Sequence, residues 1–478
     1  MNSFRSPVAL RDKHCLICVI CGPIGVIISV LPTGELMVLR AFLIGCVALQ
    51  MTAAGADDNS FFAARRKALM EKIEGSIAVL KGATETSSYT AFRQDNNFYY
   101  LTGVETPGAI LLLDGIRKRS ILFLPPRSEE IENWEGPRLY PGREARNATG
   151  IDQVLEISEF ERELEKRKEN LDRLYLPLSP IETAAVSRDR ALKHEELTSR
   201  DVWEGRISRE AALGQSLRAR LGSVPIVDLS PVLDEMRRVK DAQEIARLRE
   251  AARIGALGIK EAMRSAAPGM YEYQLAALAH FVFLWEGASG FAFHPIVGSG
   301  PNSCILHYSA NGRRMSEGDL VVMDFGPDYR YYVSDITRTF PISGKFRREQ
   351  AEVYQAVLDA QKAAIAKIRP GATFADLADA VDKALDRHGY ARFLNHGVSH
   401  YLGMSTHDVG SVEPFVPGVV ITIEPGVYMP DRNLGVRIED TVLVTTDGCE
   451  ILSKDVPKDI AEIEALMAQK GIAATIMN

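Results

Sequence analysis

Acidic residues lie inside apolar, strand-like segments in the C-terminal half of the chain, where a buried charge is energetically costly. Asp324 ends one apolar run, and after a Gly-Pro turn signal a second strand-like run, 329–340, contains Asp335. Two such runs on either side of a short turn predict an antiparallel hairpin. A turn centred between Tyr329 and Arg330 would place the two aspartates directly opposite each other, with Cβ atoms about 5 Å apart. Carboxylates that close repel unless a cation lies between them.

Two glutamates repeat this pattern further along the chain. Strand-like alternation puts Thr422 and Glu424 on one face of a segment. In the next such segment it puts Arg437 and Glu439 on one face. An acid in an apolar strand is costly to bury unless it is paired or bound to a metal. For any one of these acids alone, the alternative is an exposed strand face that carries salt bridges. The four acids together with the nearby histidines favour metal binding.

Three of the nine histidines fall within the glycine-rich range 396–407. They are His396, His400 and His407, and His307 stands in an earlier segment. Histidines clustered between glycines favour a ligand, a proton carrier or a substrate clamp over an ordinary core residue. One histidine and the four acids can hold two divalent metal ions a few ångströms apart, an arrangement that performs hydrolysis. Carboxylate and imidazole together suit Mn, Co, Fe or Zn better than Ca or Mg, and the oxygen-rich balance favours Mn.

The motifs around these residues resemble the pita-bread metallopeptidases, and among them aminopeptidase P, from about Arg65 to Lys454. The matching segments are 99–103, 296–300, 305–308, 334–341, 396–400, 407–410, 423–426 and 437–440. The resemblance implies an α+β fold, with a C-terminal pita-bread catalytic domain and a smaller N-terminal α/β domain. It also implies an aminopeptidase that hydrolyses the first peptide bond of peptides with proline in the second position.

The resemblance gives a metal-binding role to each of five residues. Asp335 and Glu439 fall at the positions that bridge both ions. Asp324 would serve one ion, and His400 and Glu424 the other. A hydroxide shared by the ions would attack the peptide carbonyl. Glu424 would act as general base and then as general acid, carrying the proton to the leaving nitrogen.

Four residues take substrate-side roles by the same resemblance. His307 and His407 match histidines that contact the substrate and stabilise the intermediate. His396 matches a further pocket histidine, and Arg437 matches a residue that supports the site from beside a metal ligand. The chain departs from the family in the loop 411–418, which is shorter than usual and contains no arginine. Because that loop borders the substrate side, the preference beyond the proline stays open.

Prolidase is the main alternative, since it has the same five ligands and the same two-domain plan but cleaves only Xaa-Pro dipeptides. Ser399, and Arg338-Thr339 after the second aspartate, favour aminopeptidase P. Creatinase and the histone-chaperone relatives lack the metal ligands, and methionine aminopeptidase lacks a long N-terminal domain. A relative that binds peptides without turnover is the second alternative.

A length of 478 residues predicts two or three domains. The N-terminal α/β domain is predicted at 60–236, with helices at 62–74 and 158–173 and strands at 77–80, 109–113, 121–124 and 174–176. The boundary is expected at 231–239. The catalytic domain is predicted at 240–465, with helices at 240–266, 271–284, 347–368 and 374–388.

Partners follow from charge and from the resemblance. A net charge of −7 does not indicate the basic surface that nucleic-acid binding requires. In the family the N-terminal domain helps to build the oligomer, so a homodimer or homotetramer is expected. Proline-containing peptides are the expected substrates. Cys304 and Cys449 are predicted to be buried thiols rather than a disulfide.

The N-terminal range 1–56 is strongly apolar and is predicted to be a signal segment. Within it, 37–56 has a short basic start, an apolar run and a small-residue cleavage site, as in a signal peptide. Met37 would then be the true start, and the protein would be exported to the periplasm. The alternatives are a membrane anchor at 15–31, a lipoprotein signal at Cys46, and a cytoplasmic protein.

Overall fold

The computed structural model describes residues 59–86, 89, 91–169, 171–180 and 188–476. The chain divides into two units, Met1–Asp58 and Asn59–Asn478, and the described residues all belong to the second, which is compact. The predicted signal segment at 1–56 and its alternatives therefore lie outside the described residues. Within the described ranges, no helix is both long and apolar enough to cross a membrane.

One mixed sheet organises the N-terminal part of the second unit. Its strands are β1 (Ile77–Lys81), β2 (Ile110–Asp114), β3 (Arg119–Leu124), β4 (Gln153–Glu156), β5 (Leu174–Leu176) and β6 (Ile226–Asp228). The spatial order is β4-β3-β2-β1-β5-β6, with antiparallel pairing at the centre and parallel pairing at both sides. Alternate residues of β1 enter two different cores, Ala78 in one and Val79 in the other. Burial of both faces explains why these strands are apolar throughout.

The sequence predicts some of the helices in this part and not others. They are α1 (Asn59–Lys72), α2 (Asn96–Thr102), α3 (Glu129–Glu135), α4 (Arg143–Thr149), α5 (Phe160–Lys168), α6 (Arg188–Arg200), α7 (Arg209–Leu221) and α8 (Ser230–Arg238). The predicted helices 62–74 and 158–173 are α1 and α5. α6 contains no buried residue, so apolar periodicity could not predict it. α8 occupies most of the expected boundary 231–239, and its first turn accommodates Pro231.

The C-terminal part contains all four predicted long helices. They are α9 (Ala242–Ser265), α10 (Glu272–Trp285), α11 (Arg348–Ile365) and α12 (Phe374–Arg387), and the short α13 (Ile460–Met467) and α14 (Ala473–Ile476) follow near the end. α9 packs against α10, and α11 packs against α12. A capping box starts α9: the Asp241 carboxylate accepts from the Glu244 backbone N–H, and Glu244 accepts in return.

Short antiparallel sheets pack against these helices. The strands are β7 (Gly290–Phe291), β8 (Ile296–Ser299), β9 (Leu320–Phe325), β10 (Pro327–Tyr329), β11 (Tyr332–Val333), β12 (Ile336–Pro341), β13 (Val420–Ile423), β14 (Gly426–Met429), β15 (Leu434–Arg437), β16 (Asp440–Val444) and β17 (Cys449–Ile451). Among the described strands, three sheets have three strands, β11-β10-β7, β12-β9-β8 and β13-β16-β17, and β14 pairs with β15. The predicted α+β class is confirmed.

The predicted hairpin forms, but its register differs from the predicted one by two residues. Asp324 pairs with Thr337, not with Asp335. The turn residues are Arg330 and Tyr331, at φ 50° and 71°, because the two-residue hairpin turn needs left-handed backbone at both positions. The turn therefore lies one residue later than assumed. Asp335 stands two residues before Thr337, which keeps it near the same face of the sheet.

Candidate metal centre

The five predicted metal ligands meet in one cavity, and the four carboxylates each lie at or near the end of a strand. Asp324 is in β9, and Asp335 immediately precedes β12. The His400 carbonyl accepts a backbone hydrogen bond from β13, and Glu424 directly follows that strand. Glu439 joins β15 to β16. Segments far apart in sequence thus place four carboxylates and one imidazole around one space.

The distances inside this cluster suit metal ions. His400 Nε2 lies 3.5 Å from Glu424 Oε1 and 3.7 Å from Asp335 Oδ2. It lies 4.0 Å from Glu439 Oε1. The Oδ1 atoms of Asp324 and Asp335 are buried and have no hydrogen-bond partner. Buried polar atoms without a partner are costly, and oxygen and imidazole donors at this spacing fit divalent metals.

Without cations, burial and mutual repulsion disfavour the charged forms of the side chains in this cluster. Burial, and then the charge of Glu439, raise the pKa of Asp335 well above its ordinary value. Burial also raises the pKa of Glu424 well above its ordinary value, and that of Glu439 to about 8. Burial and neighbouring His407 lower the pKa of His400 to about 3. Cations placed among these groups would favour the ionised carboxylates and the neutral imidazole, which are the ligand forms.

Arg437 lies behind the carboxylates rather than in the cavity. Its Nη2 donates to Asp324 Oδ2 at 2.7 Å, and its Nη1 donates to the Tyr428 hydroxyl at 2.9 Å. Thr337 links this arginine to the cluster, since its hydroxyl accepts from Arg437 Nε and donates to Glu439 Oε2 at 2.8 Å. Arg437 and Thr337 therefore orient two of the carboxylates.

His396 also lies behind the ligands. Its Nε2 is 2.9 Å from the Tyr428 hydroxyl, and its Nδ1 is 3.8 Å from Glu424 Oε2. Burial, and then the charge of Arg437, lower the pKa of His396 to about 4, so this imidazole is neutral at pH 7. His396 and Arg437, both expected on the substrate side, do not line the cavity in the described structure. They contact the ligands instead.

His307 and His407 do line the cavity, which has a volume of about 340 Å³. The His407 ring lies 4.1 Å from the His400 ring, between centroids. Burial lowers the pKa of both His307 and His407. Phe293, Ile296 and Tyr308 complete the wall with apolar surface. The cavity therefore joins a charged floor to a partly apolar wall that carries two neutral imidazoles.

Two further residues, neither of them predicted from the sequence, reach the site from α6. Arg190 Nη2 lies 3.0 Å from His307 Nδ1, and Asp189 Oδ1 lies 3.8 Å from His407 Nδ1. The backbone N–H of Arg188 donates to the His407 carbonyl. No motif or periodicity marks this segment as part of the site. Tyr428 and Thr337 were also missed, because each looks like an ordinary strand residue.

Arg338, one of the residues that favour aminopeptidase P over prolidase, is fully buried. Its Nη2 donates to Asp440 Oδ1 at 2.8 Å, and its Nη1 donates to the Glu439 carbonyl at 2.6 Å. Arg338 does not line the cavity. It holds the backbone of the proposed ligand Glu439 in place, and it has no direct contact with the cavity through which it could set the length of the substrate.

Known proteins match both halves of the second unit. Residues 62–175 match the aminopeptidase P N-terminal domain, and 246–446 match metallopeptidase family M24. The Xaa-Pro aminopeptidase of Escherichia coli K12 is 36% identical over 446 residues, covering 85% of this chain and 97% of that one. The structure of Pseudomonas aeruginosa aminopeptidase PepP has a TM-score of 0.74 at 34% identity, covering 86% of this chain and 98% of that one. Aminopeptidase P from E. coli with the inhibitor Pro-Leu has a TM-score of 0.72 at 33% identity, covering 86% and 99%.

Proposed function

This chain belongs to metallopeptidase family M24 and, within it, to the Xaa-Pro aminopeptidases, and we propose that it releases the first residue of peptides with proline in the second position. The chain is thus a hydrolase of the metallopeptidase class. One observation carries the proposal: Asp324, Asp335, His400, Glu424 and Glu439 converge in a single cavity. Structural relatives include a complex with the dipeptide inhibitor Pro-Leu, whose first residue is the proline of such a product.

The five ligands fit two divalent metal ions, and we propose Mn, with Co, Zn or Fe as alternatives. The fit rests on the donor set and on the two buried, unpartnered aspartate oxygens. When bound, the ions supply Lewis acidity that activates a water and polarises the peptide carbonyl. Metal analysis of the purified protein identifies the native metal, and two equivalents of Ca or Mg with no transition metal would contradict the proposal.

Glu424 moves the proton in the proposed reaction. One carboxylate oxygen faces His400 and the other faces His396, so the side chain borders the cavity at the ligand cluster. From there it accepts a proton from the attacking water and delivers it to the proline nitrogen as that bond breaks. Neutral His307 and His407 line the cavity beside it and donate hydrogen bonds to the oxygen on which negative charge develops.

The peptide-length question is decided by two substrates. An Xaa-Pro-Xaa tripeptide and an Xaa-Pro dipeptide are assayed with added Mn and with chelator. Release of the first residue from the tripeptide, abolished by chelator, is the expected result. Turnover of the dipeptide alone would make the chain a prolidase. No turnover of either peptide by the metal-loaded protein would leave only peptide binding.

We also propose that the enzyme is a homodimer or homotetramer, and α10 supports this. Tyr273, Phe281 and Trp285 on this helix are each at least half exposed. Large exposed apolar surface of this kind marks interaction sites. Antiparallel pairing with α10 of a second copy would bring Tyr273 against Trp285 and Ala277 against Phe281. Light scattering on wild type and Phe281→Asp tests this, and a monomeric wild type would contradict it.

Export through a signal peptide at 37–56 remains our proposal for localisation. The expected mature protein begins just after Ala56 and is recovered from the periplasmic fraction. N-terminal sequencing of the protein from its own cells measures both. Recovery from the cytoplasm with residues 37–56 attached would contradict export.

A further inference from the structure

We propose that Arg190 binds a main-chain oxygen of the substrate beyond the proline, the carboxylate of a tripeptide or a carbonyl of a longer peptide. The inference rests on the proposed function and adds a residue that sets substrate preference. Arg190 belongs to α6, outside the segments that carry the metal ligands. It lines the same cavity as those ligands.

The position of Arg190 follows from its hydrogen bond to His307. Its Nη2 lies 3.0 Å from Nδ1 of His307, and the side chain is otherwise exposed at the cavity mouth. Within the described part of the chain, its other guanidinium N–H groups have no hydrogen-bond partner. Among the described lining residues it is the only arginine or lysine. It is therefore a cation with free donors that faces an acid-rich cavity.

The contact with His307 fixes the roles of both partners. A guanidinium only donates hydrogen bonds, so Nδ1 of His307 must accept. The proton of the neutral imidazole is then on Nε2, where it is available as a donor. Burial and the charge of Arg190 both lower the pKa of His307, which agrees with a neutral ring. Arg190 thus holds His307 as a donor while presenting its own remaining N–H groups outward.

The direction of the substrate places its later residues at Arg190. An aminopeptidase accommodates one residue on the amino side of the bond that it cleaves, so the rest of the peptide must leave through the mouth. The floor is buried, with Asp335 only 4% exposed and Glu439 1%. Arg190 and its neighbour Asp189 are exposed. Moving outward from the ligands, the peptide passes the two histidines and then reaches α6.

Charge gives Arg190 a specific task at that point. Without Arg190, no arginine or lysine among the described lining residues would face the carboxylate of a tripeptide at the mouth. A charge-assisted hydrogen bond from guanidinium to carboxylate is stronger than one to a neutral carbonyl. Tripeptides with a free carboxylate should therefore bind more tightly than the same peptides as amides. The loop 411–418 contains no arginine or lysine that could substitute.

Three variants separate this role from a structural one. Arg190→Gln keeps a donor for His307 but removes the charge, so KM for a free-acid Xaa-Pro-Xaa rises about tenfold while kcat changes little. For the amidated tripeptide the rise is smaller, about threefold. Arg190→Leu also removes the donor, so kcat falls as well as KM rising. Arg200→Gln, at the other end of the exposed α6, removes an ion pair with Glu196 and serves as the matched control.

A binding measurement accompanies the kinetics. The inhibition constants of Pro-Leu and of Pro-Leu amide are measured on the metal-loaded wild type and Arg190→Gln, and the variant should lose most of the wild-type preference for the free acid. A variant that binds both as wild type does, and matches Arg200→Gln in KM, overturns the inference while the proposed function stands. A wild type that releases nothing from any Xaa-Pro-Xaa peptide overturns both. Equal metal content and melting temperature in all variants exclude misfolding.

Discussion

Replacing Glu424 by glutamine separates metal binding from proton transfer. The side chain is isosteric and keeps one carbonyl oxygen, which can still face His400 across the present 3.5 Å. The amide can neither accept the proton of the attacking water nor deliver it to the leaving nitrogen. General acid–base catalysis contributes about 10²–10⁴ in rate, so kcat should fall by that factor. This corresponds to about 3–5 kcal/mol in the activation barrier.

The assay follows release of the first residue from an Xaa-Pro-Xaa peptide under saturating Mn, with bound metal measured on the same sample. Metal affinity should weaken because a neutral amide oxygen replaces a carboxylate ligand, and saturating Mn is used to overcome that loss. Glu352→Gln, a surface change on α11 at an ion pair with Arg348, is the matched control. A Glu424→Gln enzyme with full metal and kcat within fivefold of wild type would refute the proton-transfer role.

Three further predictions address the surroundings of the ligands. Glu439 has a pKa raised to about 8, so its contribution to stability is present below its unfolded value near 4.5 and is lost as pH rises through 8. The melting temperature of the metal-free protein should therefore fall between about pH 4.5 and 8. An equal fall in the melting temperature of the metal-loaded protein would contradict Glu439 as the cause. Thr337→Val removes the hydrogen bond to Glu439 and should weaken metal binding about tenfold by competition with a chelating dye; unchanged affinity would mean that this bond orients nothing. Arg338→Met leaves buried Asp440 with one partner fewer and should lower the free energy of unfolding by about 3–5 kcal/mol in urea, and a loss under 1 kcal/mol would refute the importance of the pair.

Much of this fold and site could be predicted from the sequence, because buried elements have a regular pattern of apolar residues. α9 to α12 carry helical apolar spacing, and their predicted ends are close to the observed ones. β1, β2, β3 and β5 are apolar runs because they are buried. The ligands Asp324 and Asp335 are conspicuous because they are charges in apolar segments. The resemblance then assigned a role to each ligand, which spacing alone could not do.

The features that were not predicted have no such pattern in the sequence. The hairpin register depends on which two residues adopt left-handed backbone, and Arg330 and Tyr331 are not typical choices. β4 and β6 are short edge strands that are partly exposed. α6 buries nothing, so Asp189 and Arg190 look like ordinary surface charges until the fold places them beside two histidines. Tertiary proximity, rather than local pattern, makes these residues part of the site.

Titration of the metal-free protein with Mn tests the central claim most directly. Release of the first residue from an Xaa-Pro-Xaa peptide is followed while bound Mn per chain is counted. The five-ligand cluster predicts no activity without metal and full activity at two bound ions per chain. Full activity in the metal-free protein, or none with two ions bound at the cluster, would contradict a metal-dependent Xaa-Pro aminopeptidase.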